Sequence, residues 1–194
     1  MAPLLLCGFG LVFVLLRITS SGVDLVPDSI GLVLYALGLW RLAGNRVVLL
    51  AAATMSGLAA VLGLSFFAPD WLDGNAEDIR NVASGVAVAA CIGVGAWGLR
   101  SLARADEDEG VARQLGVIAF ASLLVGCVLV VGYAINDSDH ERAVAIIGSA
   151  SVVGLLATVW YAVLLMACAN RRWARPSDPP EPAPEMRETP ISRS

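Results

Sequence analysis

The feature that most restricts this chain is the separation of its charges from its apolar residues. Six apolar runs, at about 3–19, 29–43, 47–67, 81–103, 115–135 and 143–169, alternate with short segments that hold nearly all of the ionised side chains. Near the centres of the runs there is no Asp, Glu, Lys or His. A helix in water keeps a polar face, whereas a helix apolar all round must be buried in protein or in lipid. At about 1.5 Å per residue, a run of about 20 crosses a hydrocarbon core of about 30 Å. Composition supports lipid as the surrounding solvent: 57% of residues are hydrophobic, 15% are charged, and mean hydropathy is +0.73. These values lie far from those of a soluble domain, and 194 residues divided among six spans leave no room for a soluble catalytic domain. The predicted fold is all-α: a six-helix transmembrane bundle over 1–173, built as three consecutive helical hairpins. A cytoplasmic tail over 174–194 follows. Pro176, Pro179, Pro180, Pro182, Pro184 and Pro190 make that tail disordered in expectation.

The first hairpin turns through Asp24-Leu25-Val26-Pro27-Asp28-Ser29-Ile30-Gly31. Proline is tolerated in a first helical turn, and carboxylates there complement the positive end of the helix dipole. Asp24 and Asp28 are therefore helix-start residues first. Arg17, at the end of the preceding run, is expected to pair with one or both across the turn, which lowers the cost of holding them near hydrocarbon. These three residues are the candidate ligand or ion-pair site. The pattern D-x-x-P-D-x-I-G, followed by an apolar run ending Gly38-Leu39-Trp40-Arg41-Leu42, resembles the opening hairpin of small multi-pass bacterial membrane proteins. The resemblance covers about the first 45 residues and implies a membrane hairpin but no activity. An arginine-only basic complement, in a chain dominated by Ala, Val, Gly and Leu, fits a GC-rich, actinobacterial type of genome.

Arginine counts set the expected orientation. Arg41, Arg46, Arg100, Arg104, Arg113, Arg171, Arg172, Arg175, Arg187 and Arg193 fall on one side, and Arg17, Arg80 and Arg142 on the other. Ten against three places both termini in the cytoplasm and the chain in the inner membrane. Trp40, Trp97 and Trp173 then belong to an aromatic belt at the inner interface, and Trp71 to the outer one. Small residues at fourth positions, Ala87-Cys91-Gly95, Ala89-Gly93 and Ala52-Ser56-Ala60, predict flat faces for close helix contact.

Little here carries chemistry. Cys7, Cys91, Cys127 and Cys168 are single residues inside apolar runs, with no C-x-x-C pair, and serve as small packing residues. The acids of Asp106-Glu107-Asp108-Glu109 form a solvated charge run. Asp73-Gly74-Asn75-Ala76-Glu77 begins like the signature of phosphatidyl-alcohol transferases, but Glu77 stands where arginine is required. Ala83-Ser84-Gly85 lacks the first glycine of an intramembrane serine protease motif, and no run supplies a histidine. His140, between Asp139 and Glu141, is the one pH-sensitive or metal-contacting candidate. No metal, other cofactor or nucleic-acid partner is expected. The expected role is a non-enzymatic membrane protein whose partners are the lipid bilayer and either another membrane protein or a second copy of itself. The alternative is a small transporter or channel for an uncharged or cationic solute, with Thr54, Ser56, Ser84, Ser122 or Ser149 lining a polar path. A lipid-modifying enzyme working through Arg17, Asp24 and Asp28 ranks third.

Overall fold

The structure is a computed structural model of the full chain, and it describes residues 2–16, 19–20, 23–24, 28–64, 74–136 and 140–174. The protein is all-helical, with α1 Pro3–Leu15, α2 Asp28–Ala43, α3 Val47–Leu64, α4 Gly74–Ala105, α5 Glu109–Ala134 and α6 His140–Cys168. A 3-10 turn, Arg172–Ala174, follows α6. The one extended feature among the described residues is a two-residue antiparallel pairing of β1 Thr19–Ser20 with β2 Val23–Asp24. Three helical stretches, Val82–Ala105, Glu109–Ala134 and His140–Cys168, are long and apolar enough to cross a membrane. This marks the chain as a membrane protein. The helices α1, α2 and α3 are shorter, at 13, 16 and 18 residues.

The helix ends follow local chemistry. Pro3 stands in the first turn of α1, where its fixed φ is already helical. The 16-residue α2 ends at Gly44, which takes the left-handed φ of +49° that glycine adopts without steric cost. Several expected boundaries move. The first run does not stay helical to residue 19: α1 stops at Leu15, and Thr19 is already extended. The β-branched and serine-rich sequence around Thr19 favours extended backbone over helix. The segment 68–80 is not all loop, because α4 begins at Gly74 and its early acids fall where a helix start favours negative charge. Likewise the charged loop 104–113 contracts to Asp106–Asp108, with Arg104 closing α4 and Glu109 opening α5. His140 begins α6 and is not part of a turn. The end of the third run, residues 65–67, lies outside the described residues.

The α4–α5 connection is a Schellman turn. Asp108 N–H donates to Ala103 O at 2.9 Å and Glu107 N–H to Arg104 O at 3.1 Å, with Glu107 at φ +61°. A glutamate therefore holds the position that usually belongs to glycine.

Each helix packs on the next in sequence, and α6 packs back on α1, so the six close into a ring. Small residues let the backbones approach. Gly10 of α1 and Gly31 of α2 face one another so tightly that a Cβ on either would lie 2.5 Å from the other's carbonyl oxygen. The face Ala52-Ser56-Ala60 on α3 is fully buried. On α4 the two expected faces divide: Gly95 meets Tyr35 and Leu39 of α2, and Gly93 meets Leu123 and Ala119 of α5. The main core gathers where α2 and α4 end and α3 and α5 begin, from Leu4, Leu39, Leu49, Leu99, Leu115 and Leu165 outward. A second, small cluster of Val125, Leu129 and Ala150 lies toward the other end of the long helices. Among the described residues the larger cluster is thus at the arginine-rich end and the smaller toward the acidic end. Outward positions remain apolar, with Phe120 70% and Leu156 64% exposed, as lipid-facing side chains are.

Candidate functional site

A fully enclosed polar contact between helices is made by a pair of tyrosines. Tyr35 of α2 and Tyr161 of α6 are both fully buried, with hydroxyl oxygens 3.0 Å apart. Their rings meet edge to face, centroids 6.2 Å apart and planes at 75°. Space for the Tyr35 hydroxyl comes from Gly95 of α4, since a Cβ there would clash with it. Cys7 of α1 donates its thiol to the Tyr35 carbonyl oxygen at 3.6 Å. Four helices therefore converge on Tyr35. Buried tyrosine hydroxyls seek a partner, and these two find each other across 126 residues of sequence. Among the described residues no Asp, Glu, Arg or His is buried as a whole, although the Arg100 Nε atom is; besides the tyrosines, the buried polar residues are Ser29, Ser56, Ser122 and Thr158. The pair is a cross-ring tie between two hydroxyls.

A second polar group lies at the arginine-rich end. Asp108 caps the start of α5 in sequence position only, for its carboxylate makes no bond to that helix. Instead Asp108 Oδ2 accepts from Trp173 Nε1 at 3.4 Å and lies 3.8 Å from Arg171 Nη1. The carboxylate is drawn away from its own helix end to hold the segment after α6. Two expectations change here. Trp173 is not a belt residue, being only 8% exposed, and Asp108 does not belong to a solvated charge run. Ala174 is fully buried, so the tail does not begin there; residues 175–194 lie outside the described residues.

Compared with known proteins, the chain matches no family model, no curated protein and no solved structure.

The candidate trio fares differently. Arg17 lies outside the described residues, and so do the side chains of Asp24 and Asp28. Their backbone positions are known: Asp24 pairs with Thr19 and Asp28 is the first residue of α2, four positions on. His140 is exposed, and its Nδ1 donates to Asn136 Oδ1 at 3.0 Å, a contact within one turn. Among the described residues no three His, Cys, Asp or Glu side chains gather as metal ligands. Three of the expected path-lining hydroxyls turn back onto their own helices. Thr54 donates to Leu50 O and Ala51 O, Ser56 to Ala52 O, and Ser149 to Ile146 O.

Sequence reasoning passed over Tyr35 and Tyr161 entirely. It also left out Trp160, which is 47% exposed within α6. It read Cys7, Cys91 and Cys168 as packing residues, and all three are buried, whereas Cys127 is exposed.

Proposed function

We propose that the chain is a six-span integral membrane protein that acts as a rigid, non-catalytic partner within a larger membrane assembly. In this reading α1 and α2, α3 and α4, and α5 and α6 form three hairpins, with both termini and the arginine-rich end at the cytoplasmic face of a bacterial inner membrane. The ten-to-three arginine bias supports that orientation. The short α1 and α2 would span by thinning the bilayer locally. The carrying observation is the interior itself: the polar contact that ties helices together across it is a hydroxyl pair, and among the described residues no Asp, Glu or His is buried and the one cation that reaches inward, Arg100, lies near a helix end. Coupled transport and membrane catalysis depend on ionisable groups held inside the bundle. The solute-path alternative loses Thr54, Ser56 and Ser149 as lining, because each already serves its own backbone.

The test is crosslinking in native membranes, followed by purification of the full chain in mild detergent. One partner protein, or a second copy, recovered at fixed stoichiometry is the expected result. A chain recovered alone and monodisperse, before and after crosslinking, would refute the assembly role. Release of the chain by alkaline carbonate would refute membrane integration itself.

A further inference from the structure

Where α4 and α5 meet at the arginine-rich end lies a cation that has no counter-ion among the described residues. The Arg100 guanidinium lies flat on Gly116 of α5: a Cβ on that glycine would be 3.1–3.2 Å from its Cζ, Nε and Nη1 atoms. On its own helix it stands 4.8 Å from the ring centroid of Trp97. Its Nε is buried without a hydrogen-bond partner, and among the described residues Arg100 makes no ion pair. The helices run antiparallel here, with Gly116 against Arg100 and Gly93 against Leu123 and Ala119. That register puts exposed Arg104 and Arg113 level with each other, one turn nearer the helix ends, and exposed Trp97 and Phe120 level with each other, one turn deeper. Cations at the rim, a guanidinium at the floor and aromatic side chains below reproduce, in order of depth, the chemistry of a phospholipid: phosphate first, acyl chains after.

We infer that Arg100, with Arg104 and Arg113, binds the phosphodiester of an anionic phospholipid where α4 and α5 meet, while Trp97 and Phe120 contact its acyl chains. The inference rests on the membrane reading above. Guanidinium is suited to phosphate because its planar donors match two oxygens, and basic clefts between spans at a cytoplasmic face select anionic headgroups. The acids Asp106, Glu107 and Glu109 follow at the helix ends and offset Arg104 and Arg113 at long range. General attraction of this surface for anionic lipid is therefore weak, and any preference must come from the local contact with Arg100. Gly116 is what lets that contact form, since the nearest atoms to its missing side chain are all those of Arg100.

The test is native mass spectrometry of the full chain in non-ionic detergent, titrated with phosphatidylglycerol, phosphatidylcholine or inorganic phosphate. Phosphatidylglycerol should bind in preference to phosphatidylcholine. Arg100→Gln should weaken it about tenfold, as expected for loss of one charge-assisted donor group. Gly116→Leu, which leaves every charge in place, should weaken it comparably by displacing the guanidinium. Arg46→Gln, an exposed arginine at the same end, should change it less than about twofold, within what surface charge contributes. Equal loss in Arg46→Gln and Arg100→Gln would overturn the site in favour of general surface charge. Equal binding of phosphatidylcholine, or inorganic phosphate competing as well as the lipid, would overturn the choice of ligand. A chain that carbonate releases from membranes fails the earlier reading, whereas an inserted chain with no headgroup preference fails this one alone.

Discussion

The tyrosine tie makes a prediction whose sign depends on the pairing. Replacing Tyr35 or Tyr161 by Phe alone removes one hydroxyl and leaves the other buried without its partner, a penalty of about 1–3 kcal/mol. Replacing both removes the pair and leaves two rings of the same shape in the same edge-to-face contact, which is close to neutral. The double variant should therefore lose less than the two singles summed. In membrane proteins, couplings between such pairs average about 0.6 kcal/mol and reach about 1.7, because unfolded helices in lipid find other partners. A coupling of about 1 kcal/mol is expected, or about 2–4 °C in Tm for a chain of this size. Gly95→Ala adds an independent check: its methyl would clash with the Tyr35 hydroxyl, costing about 1–3 kcal/mol of overpacking, and Tyr35→Phe should recover most of that loss. The assay is thermal unfolding of the purified chain in one mild detergent, followed by near-UV circular dichroism. Strictly additive losses in the tyrosine cycle, together with a Gly95→Ala penalty unchanged in the Phe background, would show that these side chains do not meet.

Three further predictions follow from the turn and the thiols. Glu107→Gly should raise stability by about 1 kcal/mol, because a residue at φ +61° is relieved of its Cβ penalty; a lower Tm would refute the Schellman geometry. Asp108→Asn should shift the emission of Trp173 toward the red, as the segment after α6 loosens, while changing stability by less than about 1 kcal/mol, since Arg171 is largely exposed. An unchanged spectrum would argue against that contact. In the folded, detergent-solubilised chain a small, micelle-permeant maleimide should modify Cys127, slowly because detergent covers its outward face, and leave Cys7, Cys91 and Cys168 untouched until denaturant is added; early labelling of Cys7 would contradict its burial beside Tyr35.

What hydropathy reveals in this chain is the number of helices and their order, because excluding charge from a run depends only on neighbours in sequence. The ends are less legible. Residues 74–80 and 109–114 look like loop when judged by charge, yet acids are what a helix start accepts most readily, and α4 and α5 begin among them. Thr19 looks like the tail of an apolar run, but β-branched and small polar residues take extended backbone there instead. Asp108 shows a subtler limit. By sequence it is one acid of a solvated charge run, by structure its carboxylate belongs to Trp173 and Arg171, and nothing local to residues 104–113 announces a partner more than sixty positions away.

The same reasoning explains why the tyrosines went unseen and how they could have been found. Tyr35 sits in Leu34-Tyr35-Ala36 and Tyr161 in Trp160-Tyr161-Ala162, so each reads locally as one more apolar position. A hydroxyl at mid-depth differs from its neighbours in one respect, which is that it requires a partner at its own depth. Counting back from the arginine-rich ends supplies that depth: Tyr35 lies eight residues before the end of α2 at Ala43, and Tyr161 lies seven before the end of α6 at Cys168. Gly95, ten before the end of α4 at Ala105, falls within one turn of the same level. Applied to Arg100, five residues from the end of α4, the count leads to Gly116, seven residues into α5. In a bundle whose polar interior atoms are this few, equal depth selects contact partners more sharply than residue type does.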